Sequence, residues 1–164
     1  MLKSCSKAFG LLFIVFLPTP ALAQPDTGTQ LVILVRHAEK GCKADDPPLS
    51  RRGQVRAEAL QKALEHTGVK RIVTTELNRT RATAQPLAQK KGLEPVIVKK
   101  QGDSNHVKKV VEAVISSRPA TVLVVGHSDS VPQIIDELKG PKLPDLPETL
   151  YSALYLLIVG ASKP

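Results

Sequence analysis

The hydrophobic and polar positions of this chain alternate in blocks that predict strands separated by helices. Residues 31–35 are continuously apolar, which is typical of a strand buried on both faces of a parallel sheet. Four further short runs have strand character, at residues 71–74, 95–98, 121–125 and 153–159. The pattern therefore predicts five strands, of which the last closes the sheet.

Helical spacing fills the segments between these strands, at residues 50–66, 78–91, 104–117 and 131–138. Ser50 is predicted to cap the first helix, whose buried face is expected to hold Val55, Ala59, Ala63 and Leu64. Gly92 is expected to end the second helix, which Pro86 is expected to kink or divide. The alternation predicts an α/β fold, a three-layer sandwich with a mostly parallel central sheet flanked by helices.

The N-terminal residues have the parts of a secretory signal. Lys3 and Lys7 precede an apolar run at 8–17, and Ala21-Leu-Ala23 has the small residues of a cleavage site. A membrane-spanning helix needs roughly 20 apolar residues, so we expect a cleaved signal and no permanent anchor; a retained, membrane-tethered N-terminus is the alternative. The expected organisation is a signal peptide at 1–23, a linker at 24–30 and one domain at 31–164. The mature chain, from Gln24, would be periplasmic or secreted.

Composition narrows the range of partners. The net charge is +8, and removing Lys3 and Lys7 leaves +6, which favours anionic ligands. Aromatic residues make up only 3% and tryptophan is absent, so stacking platforms for nucleic acid are scarce and no nucleic-acid partner is expected. A small phosphorylated substrate or a phosphorylated envelope glycan fits better. Loss of Cys5 with the signal would leave Cys42 alone, so no internal disulfide is expected, and Cys42 is interpreted as a loop residue.

Basic residues follow three of the predicted strands directly or after a short turn. Arg36 and His37 follow the first strand, His127 follows the fourth between Gly126 and Ser128, and Arg79 begins the second helix. Because ligand sites of such folds lie at the carboxyl ends of the strands, these side chains are expected to converge on one anion site. Two histidines without matching carboxylates or cysteines do not form a typical metal-ligand set, so no metal or other cofactor is expected.

These residues form an ordered set of motifs. Val35-Arg-His-Ala-Glu-Lys40 resembles the Arg-His-Gly or Arg-His-Ala signature of the histidine phosphatase superfamily, whose members are phosphoglycerate mutase-like. Residues 75–84 are similar to the Ser-Pro-Leu-x-Arg-x-x-x-Thr-Ala segment of that family, and residues 126–128 match its Gly-His-Ser motif. The Pro-Pro-Leu-Ser stretch at 47–50 is also similar. The order and spacing agree from about residue 31 onward, so the chain resembles a small exported member.

The resemblance implies a phosphoric monoester hydrolase of the histidine acid phosphatase type. It implies that His37 attacks phosphorus to form a phosphohistidine, while Arg36, Arg79 and His127 hold the phosphoryl oxygens. Negative charge spreads over three oxygens during phosphoryl transfer. Fixed arginines suit that charge because their planar guanidinium groups keep their positive charge. The arginines should also keep His37 neutral, with its other ring nitrogen donating to a backbone carbonyl.

Two arginines of the second helix compete for the site. Residues two apart face nearly opposite directions on a helix, so only one of Arg79 and Arg81 can reach the pocket. Arg79 occupies the position of the family arginine, and Thr83 lies one turn later on the same face. Arg81 is therefore expected on the surface.

The acid that would protonate the leaving oxygen is less clear. Glu94, Asp103 and Glu112 lie between Arg79 and His127, and Asp103 is the best placed of them, whereas Glu39 and Asp129 are nearer the motifs. A missing acid would suit a substrate with a good leaving group or a phosphoamidate such as phosphohistidine. A noncatalytic anion-binding module also stays open, and the sequence does not indicate the oligomeric state or the substrate.

Overall fold

The computed structural model describes residues 28–42 and 45–160. The predicted signal peptide and most of the predicted linker lie outside these residues. Nine elements follow in chain order: β1 Gln30–Arg36, α1 Arg51–Leu64, β2 Val69–Thr74, α2 Asn78–Lys91, β3 Val96–Ile97, α3 His106–Ile115, β4 Thr121–Gly126, α4 Ser130–Glu137 and β5 Leu154–Val159. Within the described ranges, no helix is long and apolar enough to cross a membrane.

The five strands form one sheet in the order β3-β2-β4-β1-β5. The first four strands are parallel, and only β5 runs antiparallel, against β1. The two central strands β4 and β1 are apolar on both faces because helices cover both sides of the sheet. The predicted α/β sandwich with a mostly parallel sheet is therefore confirmed.

Two apolar layers hold the sheet between its helices. One layer packs α3 and α4 against residues such as Leu34 and Val124, and the other packs α1 and α2 against Ile33 and Leu123. Neighbouring residues of β1 and β4 thus serve opposite layers, as the alternation of side chains along a strand requires. Both layers depend on one register between the two strands.

The first strand begins one residue earlier than predicted, because Gln30 belongs to β1 and not to the linker. The Gln30 side chain is buried and its Nε2 donates to the carbonyl oxygens of Val114 at 3.0 Å and Ala120 at 2.9 Å. A polar residue at a strand start carries no hydrophobic signal, so its role as a buried hydrogen-bond donor was not visible in the sequence.

The buried face of α1 was predicted correctly at Leu64 and wrongly at the other three positions. Val55 is 60% exposed, and Ala59 and Ala63 are also exposed, whereas Gly53, Ala57 and Leu64 are buried. The contact face consists of small residues that bring the helix close to the chain after β1. A Cβ added at Gly53 would lie 2.2 Å from the carbonyl oxygen of Glu39, so the approach requires glycine there. The predicted N-cap is confirmed, since Ser50 Oγ accepts from Gly53 N at 3.1 Å.

The second helix is continuous. Pro86 lies inside α2 without dividing it, contrary to the expectation of a break. Gly92 ends the helix in the left-handed conformation, with φ of 62°, as predicted. The unbroken helix keeps its N-terminal turn, with Arg79, at the carboxyl edge of the sheet.

We expect Gly53→Ala to destabilise the protein by about 1–3 kcal/mol, because the new methyl group meets backbone that cannot move without shifting the segment after β1. This loss should exceed the gain of up to about 1 kcal/mol in helix propensity. Denaturant unfolding would measure the change. Val55→Ala, on the exposed side of the same helix, is the control and should change the free energy of unfolding by less than about 0.5 kcal/mol. An unchanged or more stable Gly53→Ala variant would contradict the close-packing argument.

Candidate active site

The ends of β1 and β4 bring the two motif histidines together. Arg36 pairs in register with Gly126, and His37 N donates to the carbonyl oxygen of Gly126 at 2.9 Å. The rings of His37 and His127 have centroids 5.3 Å apart and planes inclined by 65°. The convergence expected from the sequence is therefore found in the structure.

His37 is buried, with 3% of its surface exposed, and has a fixed tautomer. Its Nδ1 lies 2.8 Å from the carbonyl oxygen of Ala38, which can only accept, so Nδ1 carries the proton and Nε2 holds a free lone pair. Burial, and after it the charges of Arg79 and Arg36, lower the pKa of His37 from 6.5 to about 4 against the opposing effect of the Ala38 hydrogen bond. The ring is therefore neutral at neutral pH, as a nucleophilic imidazole must be.

His127 is equally buried. Its Nε2 lies 3.2 Å from Thr75 Oγ1, and its backbone N donates to Ser130 Oγ at 3.0 Å. Burial lowers the pKa of His127 to about 3, and the neighbouring His37 and Arg79 add to that effect. His127 is thus a second neutral imidazole beside the first.

Arg36 is buried behind the histidines and firmly held. Its Nη1 donates to the carbonyl oxygen of Pro147 at 2.9 Å, its Nη2 donates to Glu148 Oε2 at 2.9 Å, and its Cζ lies 4.4 Å from the ring centre of Tyr151. Its buried Nε has no hydrogen-bond partner among the residues described. One N–H of the guanidinium edge formed by Nε and Nη2 is therefore still available to an anion.

Arg79 stands on the first turn of α2 and is mostly buried. Its Nη1 lies 3.5 Å from Asp46 Oδ1, and its Nε is buried without a partner in the described part of the chain. Thr83 Oγ1 donates to the Arg79 carbonyl at 2.7 Å and accepts from Ala38 N at 2.9 Å, which ties this turn to the segment after β1. Arg81 is exposed, in agreement with its predicted surface position.

Three of the five carboxylates proposed from the sequence are paired with lysine or arginine side chains other than Arg36 and Arg79. Both oxygens of Glu39 accept from Arg56, whose hydrogen bonds lower the pKa of that carboxyl. Asp103 is paired with Lys109 at 2.6 Å, which likewise lowers its pKa. Burial raises the pKa of Asp129, but the 2.7 Å contact with Lys100 and the hydrogen bond from Ser130 N together lower it below its ordinary value. Glu94 and Glu112 are exposed, with no ion pair in the described structure.

Several residues near the histidines were not predicted. Glu148 and Tyr151 come from the segment between α4 and β5, and Asp46 and Thr75 come from loops. Thr75 could have been suspected, because it opens the segment that resembles the family motif. Glu148 gave no signal, since it lies 112 residues from Arg36 in an irregular stretch rich in proline.

The site can bind an anion and attack it. Two guanidinium groups with unused buried N–H donors lie beside a neutral imidazole whose lone pair is free. Within residues 28–42 and 45–160, no three histidine, cysteine or carboxylate side chains are grouped so that they could hold a metal ion.

The fold and the site define an α/β sandwich protein with a cluster of two histidines and two arginines at the carboxyl edge of its sheet. Residues 32–101 match the family model of the histidine phosphatase superfamily (branch 1), so the resemblance predicted from the sequence is confirmed over that segment. A search of curated proteins gives no match.

Solved structures share the fold at low sequence identity. The native mycobacterial glucosyl-3-phosphoglycerate phosphatase has a TM-score of 0.57 and 17% identity, over 71% of this chain and 81% of that chain. A protein of Agrobacterium tumefaciens assigned as the phosphohistidine phosphatase SixA has a TM-score of 0.57 and 19% identity, over 68% and 77% of the two chains. A phosphoserine phosphatase of Entamoeba histolytica has a TM-score of 0.53 and 17% identity, over 68% and 81%.

The depressed pKa values of the two histidines should make stability depend on pH. Between pH 6.5 and about 4, both histidines are protonated in the unfolded chain but stay neutral in the folded protein. The free energy of unfolding should therefore fall as pH decreases through this window. Each histidine can contribute a slope of up to about 1.4 kcal/mol per pH unit.

Denaturant unfolding at a series of pH values would test this, with His127→Gln expected to reduce the slope by about 1 kcal/mol per pH unit. His66→Gln is the matched control, because the His66 side chain is 92% exposed, and it should leave the slope unchanged. Equal slopes in wild type and His127→Gln would contradict the assignment of a buried neutral imidazole.

Proposed function

We propose that the protein is a metal-independent phosphatase that hydrolyses a phosphate monoester through a phosphohistidine at His37. The observation that carries the proposal is the pairing of a free His37 Nε2 lone pair with unused N–H donors of two buried arginines. Proteins of the superfamily matched by residues 32–101 are phosphatases, which supports the same reaction class.

The positive charges of the two arginines suit the transfer of a phosphoryl group. A phosphoryl group would take hydrogen bonds from Arg36, Arg79 and His127, and these groups would stabilise the charge on its oxygens during transfer. The His37 Nε2 lone pair then forms an N–P bond as the P–O ester bond breaks. Water attacks the phosphohistidine in the second step and returns His37 to its neutral form. The two guanidinium groups supply the positive charge that a metal ion supplies in other phosphatases.

A sugar phosphate or phosphorylated envelope glycan is the substrate class we favour. A groove of about 820 Å³ runs along α2, and its lining includes Asn78, Arg81, Gln85 and Gln89 but neither motif histidine nor Arg79. Amide and guanidinium side chains of this kind hydrogen-bond to hydroxyl groups. The predicted signal peptide, which implies a periplasmic or secreted enzyme, would bring the protein to such glycans.

Two alternatives have specific support. A phosphoamidate such as phosphohistidine needs less help from an acid, and each acid proposed from the sequence is either ion-paired or exposed away from the histidine pair. A noncatalytic anion-binding module would use the same two arginines without turnover. The fold alone does not separate these functions.

Removal of the nucleophile is the first test. His37→Asn should lower the turnover of an aryl phosphate by about 10³-fold or more, because the imidazole that accepts the phosphoryl group is lost. A chelator should leave the wild-type rate unchanged, and an alkaline quench should trap an acid-labile, base-stable phosphoenzyme that His37→Asn lacks. A wild-type protein that binds inorganic phosphate but turns over neither aryl phosphates nor phosphohistidine would instead support the noncatalytic module.

The two arginines of α2 provide a matched pair. Arg79→Ala should lower kcat/KM for aryl phosphates by about 10²–10³-fold, because a buried guanidinium that faces the transition state is lost. Arg81→Ala, on the exposed side of the same turn, should stay within about threefold on a small aryl phosphate, where the groove is unused. The reverse result would show that Arg81 is the phosphoryl ligand.

A further inference from the structure

Glu148 is the one carboxylate in the described structure that is bound to Arg36, the arginine directly before His37. Its Oε2 accepts from Arg36 Nη2 at 2.9 Å, and its Oε1 lies 3.4 Å from the hydroxyl of Ser128, the residue after His127. The Glu148 side chain is 72% exposed, whereas the arginine beneath it is buried. The carboxylate thus stands between both motifs of the site and the solvent.

The segment that carries Glu148 is anchored on the site itself. Leu146 N donates to the carbonyl oxygen of Ser128 at 2.9 Å, and the Pro147 carbonyl accepts from Arg36 at 2.9 Å. The Leu146 side chain is buried in the apolar layer beneath. Two backbone hydrogen bonds and one buried side chain therefore fix where Glu148 leaves the chain.

The contact has a consequence for a bound phosphoryl group. Nε and Nη2 are the two N–H donors on one edge of a guanidinium, and Glu148 occupies only Nη2, while Nε is unused among the described residues. A phosphoryl oxygen on Nε would therefore lie next to the Glu148 carboxylate. Two negative groups so close together favour the uptake of one proton between them. Arg36 holds the pKa of Glu148 below its ordinary value in the free site, and a bound phosphate would oppose that effect.

We propose that Glu148 is the proton carrier of this site, an inference that rests on the proposed phosphatase function. In the first step, the P–O ester bond breaks as His37 Nε2 bonds to phosphorus, and the leaving oxygen takes the proton of the Glu148 carboxyl group to become an alcohol. In the second step, the Glu148 carboxylate takes a proton from water as the water oxygen bonds to phosphorus. The N–P bond breaks, its electron pair returns to His37, and Glu148 is protonated again.

Asp46 is the other carboxylate beside a site arginine in the described structure, but its contacts indicate a structural role. Both of its oxygens accept from Asn78 N at 3.0 Å, so it binds the first turn of α2, and its distance to Arg79 is longer, at 3.5 Å. Such a carboxylate stabilises the helix terminus and orients Arg79. Asp46 is therefore a positioning residue, whereas Glu148 is free to exchange a proton with solvent.

The test compares leaving groups on the purified protein. Glu148→Gln keeps an oxygen that can accept from Arg36 but carries no exchangeable carboxyl proton. We expect it to lower kcat/KM for phenyl phosphate, a poor leaving group, by about 10²-fold or more, and to change kcat/KM for 2,4-dinitrophenyl phosphate by less than about fivefold. Because the second step also slows, the variant should release a burst of dinitrophenol.

Asp145→Asn is the matched control, since Asp145 is an exposed carboxylate three residues earlier in the same segment, and it should stay within about twofold on both substrates. Competition by inorganic phosphate checks Arg36: the variant should bind phosphate as tightly as wild type or more tightly. Equal losses on both aryl phosphates, or phosphate binding weakened about tenfold, would overturn the proton-carrier role and leave Glu148 as a support for Arg36.

Tighter phosphate binding with no loss on phenyl phosphate would also overturn the proposal, because Glu148 would then merely compete for Arg36. Each of these results requires an active wild type and leaves the proposed function intact. A wild type that turns over neither aryl phosphate would refute the proposed monoesterase function, and the proton-carrier role with it.

Discussion

The parallel pairing of β1 with β4 is the interaction on which the rest of the structure depends. It runs in unbroken register from Val32 with Val122 to Arg36 with Gly126. A slip of one residue would turn every side chain of one strand to the opposite layer and would separate the two histidines. Because both strands are buried on both faces, the two apolar layers oppose such a slip together. The same packing that stabilises the sheet therefore holds His37 against His127.

Burial at this edge also determines the charge of the site. It keeps both imidazoles neutral, with pKa values of about 4 and 3, while the arginines retain their charge. Uncompensated buried cations are costly, and loop carboxylates compensate them: Glu148 at Arg36 and Asp46 at Arg79. A phosphate bound at the unused Nε of Arg36 would therefore add a second anion beside Glu148. Two negative groups on one arginine favour the uptake of a proton between them.

The sequence predicted the buried strands and the two histidines that directly follow them. Continuous apolar runs are recognisable as buried strands, and His37 and His127 were placed correctly because parallel strands end at one edge. The face of α1 was predicted wrongly at every position but Leu64, because close packing at Gly53 depends on the absence of a side chain and leaves no hydrophobic signal. Glu148 could not be predicted, since its position follows from backbone hydrogen bonds of an irregular segment rather than from any periodic pattern.

The difference between residues at strand ends and residues of irregular segments also bears on function. The proposed nucleophile and phosphoryl ligands lie at strand ends and on a helix turn, where the core fixes them, and solved structures with 17–19% identity share the fold. Irregular segments supply Glu148 and Asp46, and the lining of the groove beside α2 includes the exposed side chains of Arg81, Gln85 and Gln89. A framework can be retained while such segments change, because surface segments tolerate substitution far better than packed strands do. The reaction class is therefore a property of the sheet edge, whereas the substrate must be a property of the loops and the groove, and it has to be sought there.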